Sequence, residues 1–304
     1  MDRKIVVLAG ATGHLGNLVA RALADKNDTV VRALVRPGSA AKAAGLAGLG
    51  VEVVETAIDG SGDQGALDKA MEGAFSVVSA LQGGPDVIVG VQSHLLEAAA
   101  RAGASRFIPS DFSMNMFGLA EGENINLDIR RAFARQADGI RGGVSVVHVL
   151  NGCFIDTRVL FGFLGAINLE RGEAYLWGEG NQPMDFTTFA DTARFTAEAA
   201  TDPNPVPTIF NVAGDTLNFH DLVKAYEEGS SKSLTVVRMG SLADMDAEIA
   251  KRQRADPQNM YAYIPLMYWR GMLDGKGKLG ELVNDRYPIG NLTTVRDYVR
   301  NEGL

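Results

Sequence analysis

The sequence contains a single cysteine, Cys153, so the chain cannot form an intramolecular disulfide. It has no signal-peptide pattern and no apolar run of about 18 residues, the length that a membrane-spanning helix requires. Asp and Glu (37) outnumber Lys and Arg (29), the net charge is -8, and no basic cluster is interleaved with aromatic residues. These absences argue against a nucleic-acid or membrane surface and indicate a reducing, cytoplasmic setting.

Several familiar catalytic patterns are missing as well. None of the seven tyrosines has a lysine four positions later, so the Tyr-x-x-x-Lys pair used for proton transfer by most short-chain oxidoreductases is absent. The sequence has no Gly-x-Ser-x-Gly elbow, and it has neither Cys-x-x-Cys nor His-x-x-x-His. The acidic segment that starts at Asp59 carries Gln64 and Ala70 where a calcium loop needs glycine and glutamate. We therefore expect no metal site.

The feature that organises the chain is a glycine loop near its beginning. An apolar run over residues 4–9 leads to Gly10, Gly13 and Gly16, and an apolar-periodic segment over residues 17–24 follows at once. This order predicts a strand, a tight turn and a helix whose first N–H groups face a pyrophosphate. The alternative is a glycine-rich turn without a ligand, and the context favours the nucleotide site.

The end of the second apolar run indicates which dinucleotide is bound. The run covers residues 29–35 and ends at Arg36, which follows Gly16 by 20 residues, and no acidic residue occurs between Thr29 and Gly50. NAD-binding folds place an acid there for the ribose 2′-hydroxyl, whereas NADP-binding folds use a basic group for the 2′-phosphate. We interpret Arg36 as the 2′-phosphate ligand, with Lys42 as a helper, so the predicted cofactor is NADP(H). The alternative is a solvated arginine at a strand end.

Strand and helix patterns alternate five times up to residue 150. This alternation predicts an α/β fold, a Rossmann-type doubly wound parallel sheet with right-handed crossovers and a smaller substrate-binding subdomain. We predict an NADP-binding domain over residues 1–155 and a mainly substrate-binding part over residues 156–304, with residues 184–215 returning to the Rossmann sheet. The sixth strand, over residues 144–150, contains His148, which we interpret as a buried, hydrogen-bonded side chain.

Two segments carry aromatic residues suited to a substrate. An apolar, glycine-bearing loop over residues 114–124 is typical of a cover over a pocket. Residues 261–272 form the most aromatic stretch of the chain and could be core, pocket or dimer face. The residues that we predict to line an apolar pocket are Phe112, Phe117, Tyr261, Tyr268 and Trp269. Cys153, after a buried strand, is expected to be inert.

Six motifs in their joint order resemble the NmrA-like and isoflavone-reductase-like atypical short-chain dehydrogenases over nearly the whole chain. They are GATGHLG, ALVR, SAL-Q, RFIPSDF, IRRAF and PLMYWRG. The resemblance implies that the cofactor is held by Gly10, Thr12, Gly13, His14, Leu15, Gly16 and Arg36. It also implies that Leu81 and Gln82 run beside the cofactor and that Asn151, Cys153 and Phe154 lie near the nicotinamide.

One departure from the family pattern affects the predicted activity. Reductase members carry a proton-donating lysine three residues before Ile-Arg-Arg, and here Asn126 occupies that position. An amide cannot deliver a proton at neutral pH, so Asp111, Asp128 or a water would have to replace the lysine.

Two functions therefore remain open. The first is an NADPH-dependent reductase of a small aromatic or enone/carbonyl substrate, which the apolar loop favours. The second is a non-catalytic NAD(P)-sensing regulator that acts through a protein partner, which the missing lysine favours. A homodimer is an expectation from related folds only.

Overall fold

The computed structural model describes residues 3–304. The β-strands within that range are β1 (Lys4–Ala9), β2 (Thr29–Val35), β3 (Glu52–Glu55), β4 (Ala74–Ser79), β5 (Arg106–Ile108), β6 (Ser145–Val146), β7 (His148–Leu150), β8 (Cys153–Ile155), β9 (Ile167–Asn168), β10 (Glu173–Trp177), β11 (Met184–Thr188), β12 (Ile209–Asn211), β13 (Asp215–Leu217) and β14 (Thr235–Gly240).

The α-helices over the same residues are α1 (His14–Ala24), α2 (Ala44–Ala47), α3 (Gln64–Met71), α4 (Gln92–Arg101), α5 (Ile125–Ile140), α6 (Phe189–Thr201), α7 (Phe219–Ser230), α8 (Leu242–Ala255), α9 (Ile264–Leu273) and α10 (Val295–Glu302). Single π-helical turns occur at Asp86–Val91 and Val159–Phe163. No helix within residues 3–304 is both long enough and apolar enough to cross a bilayer.

The chain divides into two compact units. The first contains Met1–Phe112, Ile129–Val149 and Thr192–Phe210, and the second contains Ser113–Asp128, Leu150–Asp191 and Asn211–Leu304. This division differs from the single boundary that we predicted after residue 155. Residues 113–128 and 150–155 group with the second unit, and of the predicted return over 184–215 only Thr192–Phe210 groups with the first. Strand β11 explains part of this difference, because it pairs with β8 and β13 in a separate sheet.

The first unit contains a six-stranded sheet in the order β3-β2-β1-β4-β5-β6. All five strand pairs are parallel, with Val6 opposite Val31 and Val77 opposite Phe107 as examples of the register. Strand order reverses on either side of β1, which is the arrangement of a doubly wound sheet. The predicted Rossmann-type α/β fold is confirmed.

Side chains alternate between the two faces of this sheet, and each face has its own layer of helices. Val77 and Phe107 enter a hydrophobic core that includes residues of α3, α4 and α5. Their neighbours point the other way: the Ser76 hydroxyl donates to the Ala200 carbonyl at 2.7 Å, and the Arg106 guanidinium donates to the carbonyls of Ala199 and Asp202. An arginine is therefore buried within the sheet because the carboxyl end of α6 supplies its acceptors.

The predicted sixth strand over residues 144–150 is broken into two. The Val147 N–H still donates to Phe107 of β5 at 2.9 Å, but the next N–H, that of His148, donates to Thr208 at 2.7 Å. Strand β6 therefore ends the parallel sheet, while β7 pairs with β12.

The second unit contains two three-stranded sheets, β14-β10-β9 and β13-β11-β8. One apolar cluster fills it, including Leu127, Leu150, Phe186 and Trp269. The helices α7, α8, α9 and α10 contribute buried residues to the same cluster.

Candidate functional site

The glycine loop adopts a turn that side chains could not occupy. Gly10 has φ +87°, and a Cβ there would lie 2.5 Å from the Ala80 carbonyl oxygen. A Cβ on Gly16 would lie 2.1 Å from the Gly10 carbonyl oxygen. Gly10 is thus required by the conformation of the turn and by the close approach of Ala80, which follows β4. Gly16 is required because α1 packs directly onto the turn.

The start of α1 is open to an anion. Gly13 is its N-cap and provides no side-chain hydrogen bond, and the first turn contains no acidic residue. Thr12, Gly13 and His14 are exposed, whereas Leu15 is half-buried. The first N–H groups of a helix carry partial positive charge, so this arrangement suits a phosphate.

Arg36 and Lys42 lie on the surface just after β2. Within residues 3–304 neither side chain forms an ion pair with a carboxylate, unlike Arg32, whose Nε lies 3.1 Å from Glu52. An exposed arginine without an acidic partner, one strand away from the glycine turn, is suited to a second phosphate group. The glycine turn allows a close approach to the backbone, and Arg36 and Lys42 supply exposed positive charge, so the residues present suit NADP(H).

Hydrogen bonds join the segment after β4, which contains Leu81 and Gln82, to the segment after β5, which contains Ser110. The Ser110 hydroxyl donates to the Leu81 carbonyl at 2.5 Å. The Ser110 N–H donates to the side-chain oxygen of Gln92 at 2.7 Å, and Gln92 in turn donates to the Ile88 carbonyl. Sequence reasoning missed Gln92, which is fully buried and fixes the carboxyl edge of β5.

Asp111 forms a buried pair with His148. Asp111 Oδ2 lies 2.5 Å from His148 Nδ1, whereas Asp111 Oδ1 is buried without a hydrogen-bond partner. The prediction that His148 is buried and hydrogen-bonded is confirmed. Phe112 follows with φ +29°, a left-handed conformation that is strained for a bulky residue, and its side chain is buried.

In the second unit, Asn151 is buried with both side-chain amide atoms unpartnered. Its backbone is fixed, because its N–H donates to Ser113 at 2.9 Å and its carbonyl accepts from the Thr187 hydroxyl at 2.7 Å. A buried amide held in this way has donors and an acceptor available for a ligand. Gly152 is required next to it, because a Cβ there would lie 2.1 Å from the Asp185 carbonyl oxygen.

Cys153 and Phe154 continue this segment. Desolvation raises the pKa of the Cys153 thiol to about 12, so the thiol stays protonated at neutral pH. The Phe154 ring stacks on Phe189 with centroids 3.8 Å apart and planes 8° apart.

Asp185 organises the strands beside this segment. Its carboxylate is fully buried and accepts from Lys278 Nζ, from the Leu279 N–H and from the Thr216 hydroxyl, each at 2.8 Å. Three donors from two distant segments make this carboxylate a structural centre of the second unit. No sequence spacing could have indicated this carboxylate, because its partners lie 31 to 94 positions away.

Asn126, at the position of the family lysine, lies in the first turn of α5. Its Nδ2 atom donates to the Tyr268 hydroxyl oxygen at 3.1 Å. Asp128 has a different role, since its Oδ2 accepts from the Gly122 N–H at 2.9 Å and fixes the preceding loop.

The predicted pocket residues differ widely in exposure. Trp269 is 1% exposed and packs in the core of the second unit, whereas Tyr261 is 77% exposed. Phe117 is exposed. Tyr268 is half-buried, and its ring makes a T-shaped contact with the ring of Phe163, with the two centroids 5.9 Å apart. A cavity of about 340 Å³ in the second unit is lined by Glu121, Glu123, Asp246 and Arg270, among others, and by none of the predicted pocket residues. The residues from 3 to 304 bring together no group of three His, Cys, Asp or Glu that could hold a metal.

Comparison with known proteins gives a consistent match. A model of the NmrA-like family matches residues 1–129. Pinoresinol reductase 1 of Arabidopsis thaliana is 24% identical over 98% of this chain and 97% of the relative. Two solved structures cover 99% of both chains: AtPrR2 with NADP+ and (+)pinoresinol (TM-score 0.81, 22% identity) and an isoflavone reductase (TM-score 0.82, 20% identity).

Proposed function

We propose that this chain, of which residues 1–129 match the model of the NmrA-like family, is an NADPH-dependent reductase that acts on a small aromatic or enone/carbonyl substrate. One observation carries the proposal. The glycine turn excludes side chains at Gly10 and Gly16, and Arg36 is exposed without an acidic partner at the end of the next strand. This combination suits the pyrophosphate and the 2′-phosphate of NADP(H).

The chain's own residues bind and orient the cofactor. The first N–H groups of α1 would hold the pyrophosphate, and Arg36 with Lys42 would hold the 2′-phosphate. Leu81 and Gln82 would run beside the cofactor, while Asn151, Cys153 and Phe154 would border the nicotinamide. The bound cofactor supplies a hydride to an electrophilic carbon of the acceptor.

The names of the relatives support an aromatic substrate. Pinoresinol reductase 1 and the isoflavone reductase are named for aromatic compounds, and so is the phenylcoumaran benzylic ether reductase PT1 of Pinus taeda, which is 25% identical over 77% of this chain and 77% of the relative. We propose that Phe117, Tyr261 and Tyr268 contribute apolar surface for such a substrate. Phe112 and Trp269, which we also predicted for this role, are buried and would not offer surface to it. We also propose a cytoplasmic location, which the single cysteine supports.

The decisive test mixes the purified protein with NADPH and a panel of aromatic aldehydes, quinones, enones and benzylic ethers. Loss of the absorbance of the reduced nicotinamide with at least one acceptor is the expected result. Tight NADPH binding without turnover of any acceptor would contradict the proposed reductase activity.

That outcome would support the second candidate, an NAD(P)-sensing regulator, which Asn126 at the family lysine position favours. The sensor would act through a protein partner. Either function is compatible with a homodimer, which light scattering of the purified protein would test.

A further inference from the structure

Glu55 holds the loop that carries the two cationic side chains predicted to meet the 2′-phosphate. This loop, which we call the phosphate loop, covers residues 36–42; it begins at Arg36 and ends at Lys42. Glu55 is the last residue of β3, and its Oε1 atom accepts from the Ala40 N–H at 2.9 Å. Because Ala40 lies between the two cations, this contact ties the middle of the phosphate loop to the end of a strand.

The end of β3 is itself fixed beside the start of the phosphate loop. Glu55 lies opposite Val35 in the parallel register of β2 and β3, and the Thr56 N–H donates to the Val35 carbonyl at 3.0 Å. Val35 immediately precedes Arg36. The Glu55 carboxylate therefore reaches the phosphate loop from a position that the sheet of the first unit holds in place.

The other hydrogen bonds of the phosphate loop are local. The Ser39 N–H donates to the Arg36 carbonyl at 2.9 Å, and the Lys42 N–H donates to the Ser39 carbonyl at 3.0 Å. Gly38 has φ +77°, and a Cβ there would meet nothing within 4 Å, so no neighbouring atom restrains the turn on that side. In the part of the chain that the structure describes, Glu55 is the one side chain outside the phosphate loop that bonds to it. Loss of this contact would let the loop move relative to β3.

The charges near Glu55 indicate that it acts on the main chain of the phosphate loop. Over the described residues it forms no ion pair with Arg36 or Lys42, so both cations keep their charge for a ligand. Glu52, at the other end of β3, differs in that it pairs with Arg32 Nε at 3.1 Å. A carboxylate that accepts from a backbone N–H forms a stronger hydrogen bond than a neutral oxygen does. Glu55 thus anchors the loop and leaves its cations available.

We propose that Glu55 is a positioning residue for NADP(H), whose bond to Ala40 presets the phosphate loop so that Arg36 and Lys42 meet the 2′-phosphate. The inference rests on the proposed function, through its cofactor. A preset loop loses less conformational freedom when the ligand binds, so the affinity for a cofactor with a 2′-phosphate is higher. NADH lacks that phosphate and gains nothing from the contact. Glu55 thereby favours NADPH over NADH through the loop.

The test measures the Kd values of NADPH and NADH by isothermal titration of the purified protein. We expect Glu55→Ala to weaken NADPH binding about fivefold or more, because the loop must then be ordered on binding, while the Kd of NADH changes less than about twofold. Glu55→Gln keeps an oxygen that can accept from the Ala40 N–H and removes a negative charge near the phosphate. It should therefore bind NADPH as tightly as the wild type or more tightly.

Glu52→Ala is the matched control for the loss of a carboxylate from β3. Glu52 is exposed like Glu55, but it contacts Arg32 and not the phosphate loop, so its removal should leave the ratio of the two Kd values unchanged. Adenosine 2′,5′-bisphosphate and 5′-AMP give a second measurement that involves neither the nicotinamide nor turnover. Glu55→Ala should weaken binding of the bisphosphate and leave that of 5′-AMP as it is. Circular dichroism checks that each variant is folded.

The outcomes separate this inference from the proposed function. A wild type that prefers NADPH, together with a Glu55→Ala variant that keeps the same preference, overturns the role of Glu55 and leaves the cofactor assignment intact. Tighter NADPH binding by both Glu55→Ala and Glu55→Gln would show that the carboxylate only repels the phosphate, and would also overturn that role. A wild type that binds NADPH and NADH equally overturns the cofactor assignment and the role of Glu55 together. Because the test needs binding alone, a protein that reduces no acceptor would contradict the reductase and not the role of Glu55.

Discussion

The imidazole of His148 lies 2.5 Å from the carboxylate of Asp111, and both side chains are buried within the first unit. His148 is the first residue of β7, where the chain stops pairing with β5 and begins to pair with Thr208. Asp111 follows β5, and its carbonyl accepts from Arg130. The pair therefore fixes the point at which β5 and β7 diverge. It also occupies the carboxylate of Asp111, one of the groups that we expected could replace the family lysine.

The first prediction concerns the stability of this pair. We expect Asp111→Ala to lower the free energy of unfolding by about 1–3 kcal/mol, because the buried His148 side chain loses its hydrogen bond to the carboxylate. His148→Ala should cost a similar amount, and the double variant should cost less than the sum of the two. Urea unfolding measures all three. Asp138→Ala is the control, since the Asp138 side chain is 81% exposed beside Arg141 and should change little. Additive losses in the double variant would contradict the coupling.

The second prediction concerns the third glycine of the loop. Gly16→Ala places a methyl group 2.1 Å from the Gly10 carbonyl oxygen, so the turn or α1 must move. We expect a lower melting temperature and at least a tenfold loss of NADPH affinity, measured by nicotinamide fluorescence. Gly45→Ala is the matched control, because a Cβ there meets nothing within 4 Å and alanine is the better helix former. Equal behaviour of the two variants would show that close packing at Gly16 is not required.

The parts of the fold that sequence reasoning predicted are those determined by neighbouring residues. The glycine loop, Arg36 and the run of β2 lie within one strand–helix–strand segment, so spacing and periodicity were enough. The break between β6 and β7 was not predicted, because Val144 to Leu150 reads as one apolar run and only contacts with Thr208 and Asp111 divide it.

Contacts between distant parts of the chain account for the rest. Nothing in the sequence near Asn126 indicates Tyr268, and nothing near Asp185 indicates Lys278. Trp269 and Tyr261 share one aromatic stretch, yet their exposures are 1% and 77%. The start of α9 at Ile264 separates them, and helical periodicity then turns Trp269 into the core.

The third prediction concerns cofactor choice. Arg36→Asp should weaken NADPH binding by on the order of 2 kcal/mol or more, because a charge-assisted contact with the 2′-phosphate becomes a repulsion. NADH, which lacks that phosphate, should bind as well as before or better. Isothermal titration with both cofactors measures the ratio. Arg171→Asp, an exposed arginine of the second unit, is the control for the general change of charge. An unchanged NADPH affinity would show that Arg36 does not contact the cofactor.

The last prediction concerns Cys153. Burial raises its thiol pKa from an ordinary value of 9.0 to about 12, and only the thiolate reacts with iodoacetamide. Labelling of the native protein should therefore be slower than that of the urea-unfolded chain by on the order of 10³-fold at pH 8, and its rate should keep rising tenfold per pH unit above pH 9. Because the folded state holds this proton more tightly than the unfolded chain, the contribution of Cys153 to stability should fall as the pH rises from about 9 towards 12. Cys153→Ser should abolish labelling and should also remove that part of the pH dependence. Equal labelling rates in the native and unfolded protein would mean that the thiol reaches solvent and that burial does not hold its proton.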